Sequence, residues 1–294
     1  MMAKQTVGII GCGVVGSAVG VVLQSKGYPV IGVADQNREH RDLLTSRLGV
    51  DGLSSAEAAR RAEILFITTS DGAIATVTRE LAEAGSFRSG QVVLQMSGAL
   101  TSEVLKPAAE QGAICLSVHP LQSFAAVEQA IQILPGSVFS IEGDPAGFSL
   151  GAQLVADLEG EFFYIDKQAK PLYHAGAVVV SNYLVTLIDL GQRLFAAAGI
   201  PEDKALAGLL PLIEGTLKNI RKLGIPQALT GPIARGDTVT VEKHLATMET
   251  AAPELLGLYR SLGYQTVEVA ERKGGVTEST AQNLRQILKQ PPQI

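Results

Sequence analysis

The chain has 294 residues, enough for one large or two ordinary domains, and 46% hydrophobic against 18% charged residues is the balance of a globular protein with a sizeable core. A net charge of −5 argues against nucleic acid as the main partner, because phosphate binding needs concentrated Lys and Arg. Two cysteines, Cys12 and Cys115, give no disulfide framework and fit a reducing, cytoplasmic setting, and the four histidines, at 40, 119, 174 and 244, are too widely separated to suggest a metal site.

The apolar residues 7–10 read as a buried strand, and residues 14–23, apolar and small, as a helix. Between and within them stand Gly11, Gly13 and Gly16, the spacing of a dinucleotide-binding turn in its strand–turn–helix context. Gly11 permits the tight turn, Gly13 lets the backbone approach a pyrophosphate, and Gly16 lets the helix pack on the strand. The helix N-terminus offers N–H groups to the phosphates, so Cys12, Val14 and Val15 join the three glycines as cofactor-binding candidates. A second strand at 30–33 leads to Asp35, about 20 residues after the last glycine, where an acid can accept both ribose hydroxyls. A carboxylate there repels a 2′-phosphate, so NAD is favoured over NADP, although Arg38 and Arg41 lie close enough downstream to hold a phosphate. Lys4 before an apolar stretch imitates a signal peptide, but the glycines sit at fingerprint positions and cleavage would destroy the fold.

Further strands are expected at 64–68, 92–95, 113–118, 137–142 and 161–165, with a helix around 74–84. Strands alternating with helices imply a mainly parallel, doubly wound sheet, whose ligands bind beyond the carboxyl ends of the strands. The strand-end residues Thr69, Ser70, Asp71, Ser97, Gly98, His119 and Pro120 therefore face one site.

After residue 166 the strand-like runs stop. Residues 169–198 read as one long helix with Pro171 in its first turn, and Gly199 to Pro201 breaks it. Another helix runs from Pro201 to near Gly224, a third from an Asp237 or Thr238 cap to about Thr250, and two more cover 253–262 and 277–289. The tail from Gln290 is expected to fray. The run 175–190 contains Ser181, Asn182 and Asp189, too short and too polar for a membrane span, and reads as a buried helix. Its apolar residues nonetheless cover more than one face, which predicts a homodimer through the helical domain. The expected domains are 1–166 and 167–294.

Several segments carry a resemblance: His119-Pro-Leu-Gln-Ser-Phe124, Leu134-Pro-Gly136, Ile141-Glu-Gly-Asp144, Tyr173-His-Ala175, Ser181-Asn182 and the unusual Leu229-Thr-Gly-Pro-Ile-Ala-Arg-Gly-Asp237. They resemble the Rossmann-like and DUF2520 domain-containing family, within the superfamily of hydroxyacid dehydrogenases, pyrroline-5-carboxylate reductases and ketopantoate reductases. The resemblance implies an α/β, Rossmann-type doubly wound parallel sheet followed by an all-α domain like that of 6-phosphogluconate dehydrogenase. It implies an NAD(P)-dependent reductase more firmly than any substrate, though some members resemble an alternative ketopantoate reductase.

Hydride transfer to a carbonyl needs donors for the developing oxyanion and an anchor for the rest of the substrate. Related dehydrogenases place a Lys and an Asn four residues apart on the first helix of the helical domain. Asn182 matches the Asn, but Val178 then occupies the Lys position. His174 is the candidate to supply the missing proton; it lies two turns before Ser181, and the pair is about 20° apart around a helix. His119, Gln122 and Ser123 fall where relatives hold a substrate carboxylate, and Arg235 offers a guanidinium fork for the same group. Each has a plainer alternative: an amide bonded to a neighbouring helix for Asn182, a domain-junction His174, a turn His119 pinned by Pro120, a surface ion pair for Arg235 with Asp237 as a helix cap. Lys218 and Asn219 point in different directions on their helix and carry less weight. The leading expectation is reduction of a small keto or imino acid. A non-catalytic dinucleotide sensor, favoured by Val178, and a reductase of a deazaflavin or another cofactor stand beside it.

Overall fold

The computed structural model describes residues 4–289. In chain order the elements are β1 (Val7–Ile10), α1 (Val14–Ser25), β2 (Val30–Ala34), α2 (Arg38–Leu48), α3 (Ser55–Arg61), β3 (Ile64–Ile67), α4 (Asp71–Glu83), β4 (Val92–Gln95), α5 (Lys106–Ala109), β5 (Ile114–Pro120), α6 (Val127–Ile133), β6 (Val138–Gly143), α7 (Phe148–Asp157) and β7 (Glu161–Tyr164). Then come only helices: α8 (Lys170–Val180), α9 (Asn182–Ala197), α10 (Glu202–Leu223), α11 (Ile225–Ala228), α12 (Thr238–Ala251), α13 (Pro253–Lys273) and α14 (Glu278–Leu288).

The seven strands form one sheet in the order β2-β1-β3-β4-β5-β6-β7. Every neighbouring pair is parallel except β5 with β6. The strand order reverses beside β1, so the crevice between the carboxyl ends of β1 and β3 is the switch point where such sheets bind ligands. The strands are apolar on both faces because helices cover both. Val7, Ile9, Phe66 and Leu94 belong to one buried cluster, and Ile10, Leu65, Ile67 and Val93 to another.

Chain contacts divide the molecule into two compact units, one ending at Ser181 and the other beginning at Asn182. The first holds the sheet together with α8. The second has its own apolar clusters, Val241, Leu245, Val267, Ala281, Leu284 and Leu288 in one, and Leu190, Met248, Ala252 and Leu255 in the other. Asp237 does cap α12, accepting from the Thr240 N–H at 3.0 Å.

Three sequence expectations need correction. The stretch 169–198 is not one uninterrupted helix: it divides at Ser181, whose backbone (φ −109°, ψ −70°) departs from helical values. Nor is the run 175–190 buried within the chain. Val180 is 73% and Val185 69% exposed, and Val179, Tyr183 and Leu187 are exposed as well. The stretch Lys167–Ala197 is, by length and composition, long and apolar enough to cross a membrane. The third correction is α13, which passes straight through Gly263 to Lys273 instead of stopping near 262. A Cβ on Gly263 would lie 2.8 Å from Leu288 Cδ2, so this glycine lets α14 come close; it does not end a helix. The predicted fraying tail lies outside the described residues.

Candidate active site

The glycine turn is built by sterics. Gly11 has φ +104°, and a Cβ there would sit 2.5 Å from the backbone of Thr68 and Thr69 at the end of β3. A Cβ on Gly16 would fall 2.0 Å from the Gly11 carbonyl oxygen. Both substitutions would force the turn, the helix and β3 apart. Gly13 differs: a Cβ there would meet nothing within 4 Å, so that glycine faces open space. It is also the N-cap of α1 and carries no side chain to occupy the first-turn N–H groups.

The open space is a cavity of about 530 Å3 lined by Gly11, Gly13, Asp35, Thr69 and Ser70 among others. Asp35 shapes its far end. Its Oδ2 accepts from the Cys12 N–H at 2.6 Å and its Oδ1 from the Asn37 N–H at 2.7 Å. Thr69 contributes a buried hydroxyl oxygen with no partner. An orphaned hydroxyl, an uncapped helix start and an unobstructed glycine, all around one cavity, fit the polar groups of a dinucleotide. Cys12, Gly13 and Val14 also border a second cavity, on the α2 and α6 side of the turn. The Cys12 thiol is pushed up to about 12, first by burial and then by the Asp35 carboxylate, so it is inert packing. Val15 is half-buried on α1, and Asp71 is exposed at the start of α4.

A second set of residues gathers at the carboxyl ends of β4 and β5. Ser97 and Gly98 are buried just past β4, and the Ser97 hydroxyl accepts from the N–H groups of Ala99 and Leu100, both at 3.1 Å. A Cβ on Gly98 would lie 2.7 Å from His174 Cδ2 and 2.8 Å from His119 Nε2, so two imidazoles close on this bare backbone. The two rings stand edge to face at 6.4 Å. His119 Nδ1 is 2.8 Å from the Tyr173 hydroxyl. Where that hydroxyl donates, His119 is the tautomer carrying its proton on Nε2, toward Gly98.

Beneath the histidines runs a buried polar row that sequence reading missed. Gln95, Ser117 and Glu142 are register partners across β4, β5 and β6. His119, Ser140 and Phe163 form the next row. Because side chains alternate along a strand, Ser117 and His119 share one face. The same helix face of α8 presents Lys170, Tyr173 and His174 at spacings of three and four. Lys170 is 0% exposed, and its ammonium donates to the Ser117 hydroxyl. Glu142, 3% exposed, accepts from the Ser102 N–H at 2.8 Å and the Ser102 hydroxyl at 2.6 Å. Burial lowers the Lys170 ammonium to about 8, against the opposing pull of the Glu142 and Asp71 carboxylates. Burial likewise lowers His119 to about 4, helped by the positive charge of Lys170 and by His174.

The remaining candidates are placed apart. Gln122 and Ser123 are exposed in the segment after β5. Ser181, at the break between α8 and α9, is exposed, and so is Asn182 at the start of α9 in the second unit. Arg235 is exposed at the end of a short 3-10 turn, also in the second unit. The one signal that could have found Lys170 is its spacing: it stands four residues before His174, the separation assumed for Val178 and Asn182.

The His119 shift predicts a pH dependence of stability. Between pH 6.5 and 4 the unfolded chain takes up a proton that the folded imidazole refuses, so stability falls as pH falls through this window. His119→Asn is expected to flatten that part of the profile in urea unfolding at a series of pH values. An unchanged slope would show that the ring is not held neutral.

The comparisons with known proteins agree with this architecture. A Rossmann-like domain model matches residues 1–120, and the model of a domain of unknown function, DUF2520, matches residues 137–266. No curated protein matches the chain. Protein TM1727 from Thermotoga maritima has a similar crystal structure, at 27% identity and a TM-score of 0.74, covering 91% of this chain and 99% of that one. A putative NADP oxidoreductase, BF3122 from Bacteroides fragilis, is similar at 20% identity and a TM-score of 0.71, covering 91% and 100%. A reductive aminase from Aspergillus terreus, solved with NADPH and ethyl levulinate, shares the fold at 18% identity and a TM-score of 0.60, covering 97% and 92%. The two matches lie one after the other, so the chain carries a Rossmann-like domain followed by a DUF2520 domain, the combination its sequence resembles.

Proposed function

We propose that this protein is an NAD(P)-dependent oxidoreductase that reduces the C=O or C=N group of a small keto or imino acid, ketopantoate among the candidates. The observation that carries the reading is the convergence of His119 and His174 on Gly98, on the same sheet edge as the glycine turn. A bound nicotinamide dinucleotide would supply the hydride. The chain's own residues would do the rest. The Gly11–Gly16 turn and the start of α1 receive the phosphates, and Asp35 accepts ribose hydroxyls. Gly98 lets the His174 and His119 rings pack on its bare backbone, His174 as proton donor and neutral His119 as a hydrogen-bond partner for the substrate oxygen. Gln122, Ser123 and Ser181 are the proposed substrate-side groups of the first unit; Asn182 and Arg235 stay candidates for a substrate amide contact and a carboxylate fork on the second. The two buried, free cysteines support a reducing, cytoplasmic setting.

Val178 in the usual Lys position favours a second reading, a non-catalytic dinucleotide sensor; Lys170, on the same helix, is buried and donates to Ser117. Turnover of NADH or NADPH with at least one member of a panel of 2-keto acids and cyclic imines is expected. His174→Ala should cut kcat by about 100-fold or more while leaving cofactor affinity nearly unchanged. Tight cofactor binding with no turnover across the panel would favour the sensor.

On the form of the dinucleotide, residues and relatives diverge. Asp35 favours NADH, whereas the names of the two similar reductases carry NADP or NADPH. In either case the Asp35 carboxylate opposes a 2′-phosphate, so Asp35→Ser should raise kcat/KM for NADPH relative to NADH by about tenfold or more. An unchanged ratio would remove Asp35 from cofactor selection.

The exposed apolar faces of α8, α9 and α10 support a homodimer, since Val180, Val185, Leu212 and Leu217 are each more than half exposed. A membrane is the poorer cover, with Lys167, Lys170, Asp189 and Arg193 along the same stretch and a helix break at Ser181. Light scattering in detergent-free buffer should give twice the chain mass; a monomer at micromolar concentration would contradict this.

A further inference from the structure

The buried row under the two histidines contains a carboxylate that the proposed reaction does not use. Glu142 lies on β6, directly opposite Ser117 of β5. Ser117 in turn accepts from the Lys170 ammonium. The Glu142 carboxylate is locked by two hydrogen bonds from Ser102, one from its N–H and one from its hydroxyl. A solvent-free ammonium held only by a neutral hydroxyl is expensive, and a nearby fixed anion is what lets it stay charged. A carboxylate tied down by Ser102 cannot swing away to another partner.

We propose that Glu142 is a positioning residue: acting across Ser117, it keeps the Lys170 ammonium charged and seated beside His119, so that the imidazole facing Gly98 stays neutral. The order of influence follows the geometry. Glu142 is fixed by the turn after β4, Lys170 by the first turn of α8, and His119 by the end of β5 and the Tyr173 hydroxyl. The charged and titratable groups acting on Lys170 are Glu142 from β6, Asp71 from the start of α4 and His119 from β5, which His174 also faces. Lys167, three residues before it, is neutralised by Glu103 at 2.6 Å. Of the two carboxylates, Glu142 raises the Lys170 value more than Asp71 does. For reduction, a neutral His119 offers an N–H without itself titrating, and Lys170 supplies the positive field behind it.

The consequence for turnover rests on the reductase reading, so the test has two arms. In the first, the whole chain is labelled at the lysine ε-carbon and at the imidazole rings and titrated by NMR, with Lys170→Met and His119→Asn assigning the two signals. The wild-type Lys170 signal should titrate near 8. Glu142→Gln should lower that midpoint by about one pH unit or more, and Glu142→Asp should restore part of the shift. Should Glu142→Gln fold poorly by circular dichroism, Ser117→Ala is read in its place, with a smaller shift in the same direction. An unmoved midpoint in these variants, or a larger shift from Asp71→Asn, would overturn the proposal. The second arm follows kcat against pH: its alkaline limb should move down with the Lys170 signal in Glu142→Gln. A purely structural role would lower kcat at every pH and leave the limb where it is. A shifted NMR midpoint with no turnover would keep the coupling and refute the reductase.

Discussion

A charge removed from water must be answered by the structure around it, and in this chain the buried charge is the Lys170 ammonium. Its position ties three parts of the first unit together. The hydroxyl it donates to belongs to the middle of β5, the carboxylate that balances it belongs to β6, and the side chain itself starts α8. The helix that leads toward the second unit is thereby registered on the sheet by polar contacts as well as by packing. Tyr173 and His174 follow on the same face, which sets both against His119 and Gly98. The site is therefore a consequence of where one lysine is buried.

The antiparallel pairing of β5 with β6 is what makes this possible. It places Glu142 opposite Ser117, and Ser140 opposite His119, on one face. The first five strands of the sheet are parallel, and β2, β1 and β3 carry only apolar side chains and glycine. The polar rows begin at Gln95 of β4 and Ser117 of β5, next to the antiparallel pair. Two chemistries thus share one sheet. A steric one, in which Gly11 and Gly16 bring backbone to backbone, shapes the phosphate turn. An electrostatic one, in which buried polar groups fix each other's protonation, shapes the region under the histidines.

The sequence made the steric half readable and left the electrostatic half hidden. The glycine turn, the seven strands and the Asp237 cap each announce themselves within a few residues, because the constraint acts locally. The polar row does not. Ser117 and Glu142 are 25 residues apart, and only the register of β5 on β6 makes them neighbours. Lys170 reads as an ordinary solvated first-turn lysine until the sheet beneath it is known. Asn182 leaves Val178 in the Lys position of the expected Lys–Asn pair, while Lys170 stands at the same four-residue spacing before His174. The contact of Gly263 with Leu288 is equally invisible in one dimension, since it depends on α14 packing against α13.

Stability alone does not account for such a row. Replacing a buried ion pair or polar cluster with well-packed apolar side chains is often neutral or stabilising by about 1–4 kcal/mol. The other positions on these strands show that apolar packing is available here, since Val93, Leu94, Leu116 and Ile141 are fully buried. A fold that keeps Gln95, Ser117, Glu142 and Lys170 in the same layer gives up that option at the place where two imidazoles meet a bare glycine. Departures from the most stable packing are expected at sites that do chemistry. Here the departure comprises the Ser102–Glu142 hydrogen bonds, the pairing of Glu142 with Ser117 across β5 and β6, the Lys170–Ser117 hydrogen bond, and the charge of Lys170 acting on the His119 ring. Its one end is locked to the Ser102 backbone, and its other end is the ring that packs on Gly98. That is the arrangement needed to set the protonation of a ring in advance of binding, without any group having to move when the ligand arrives.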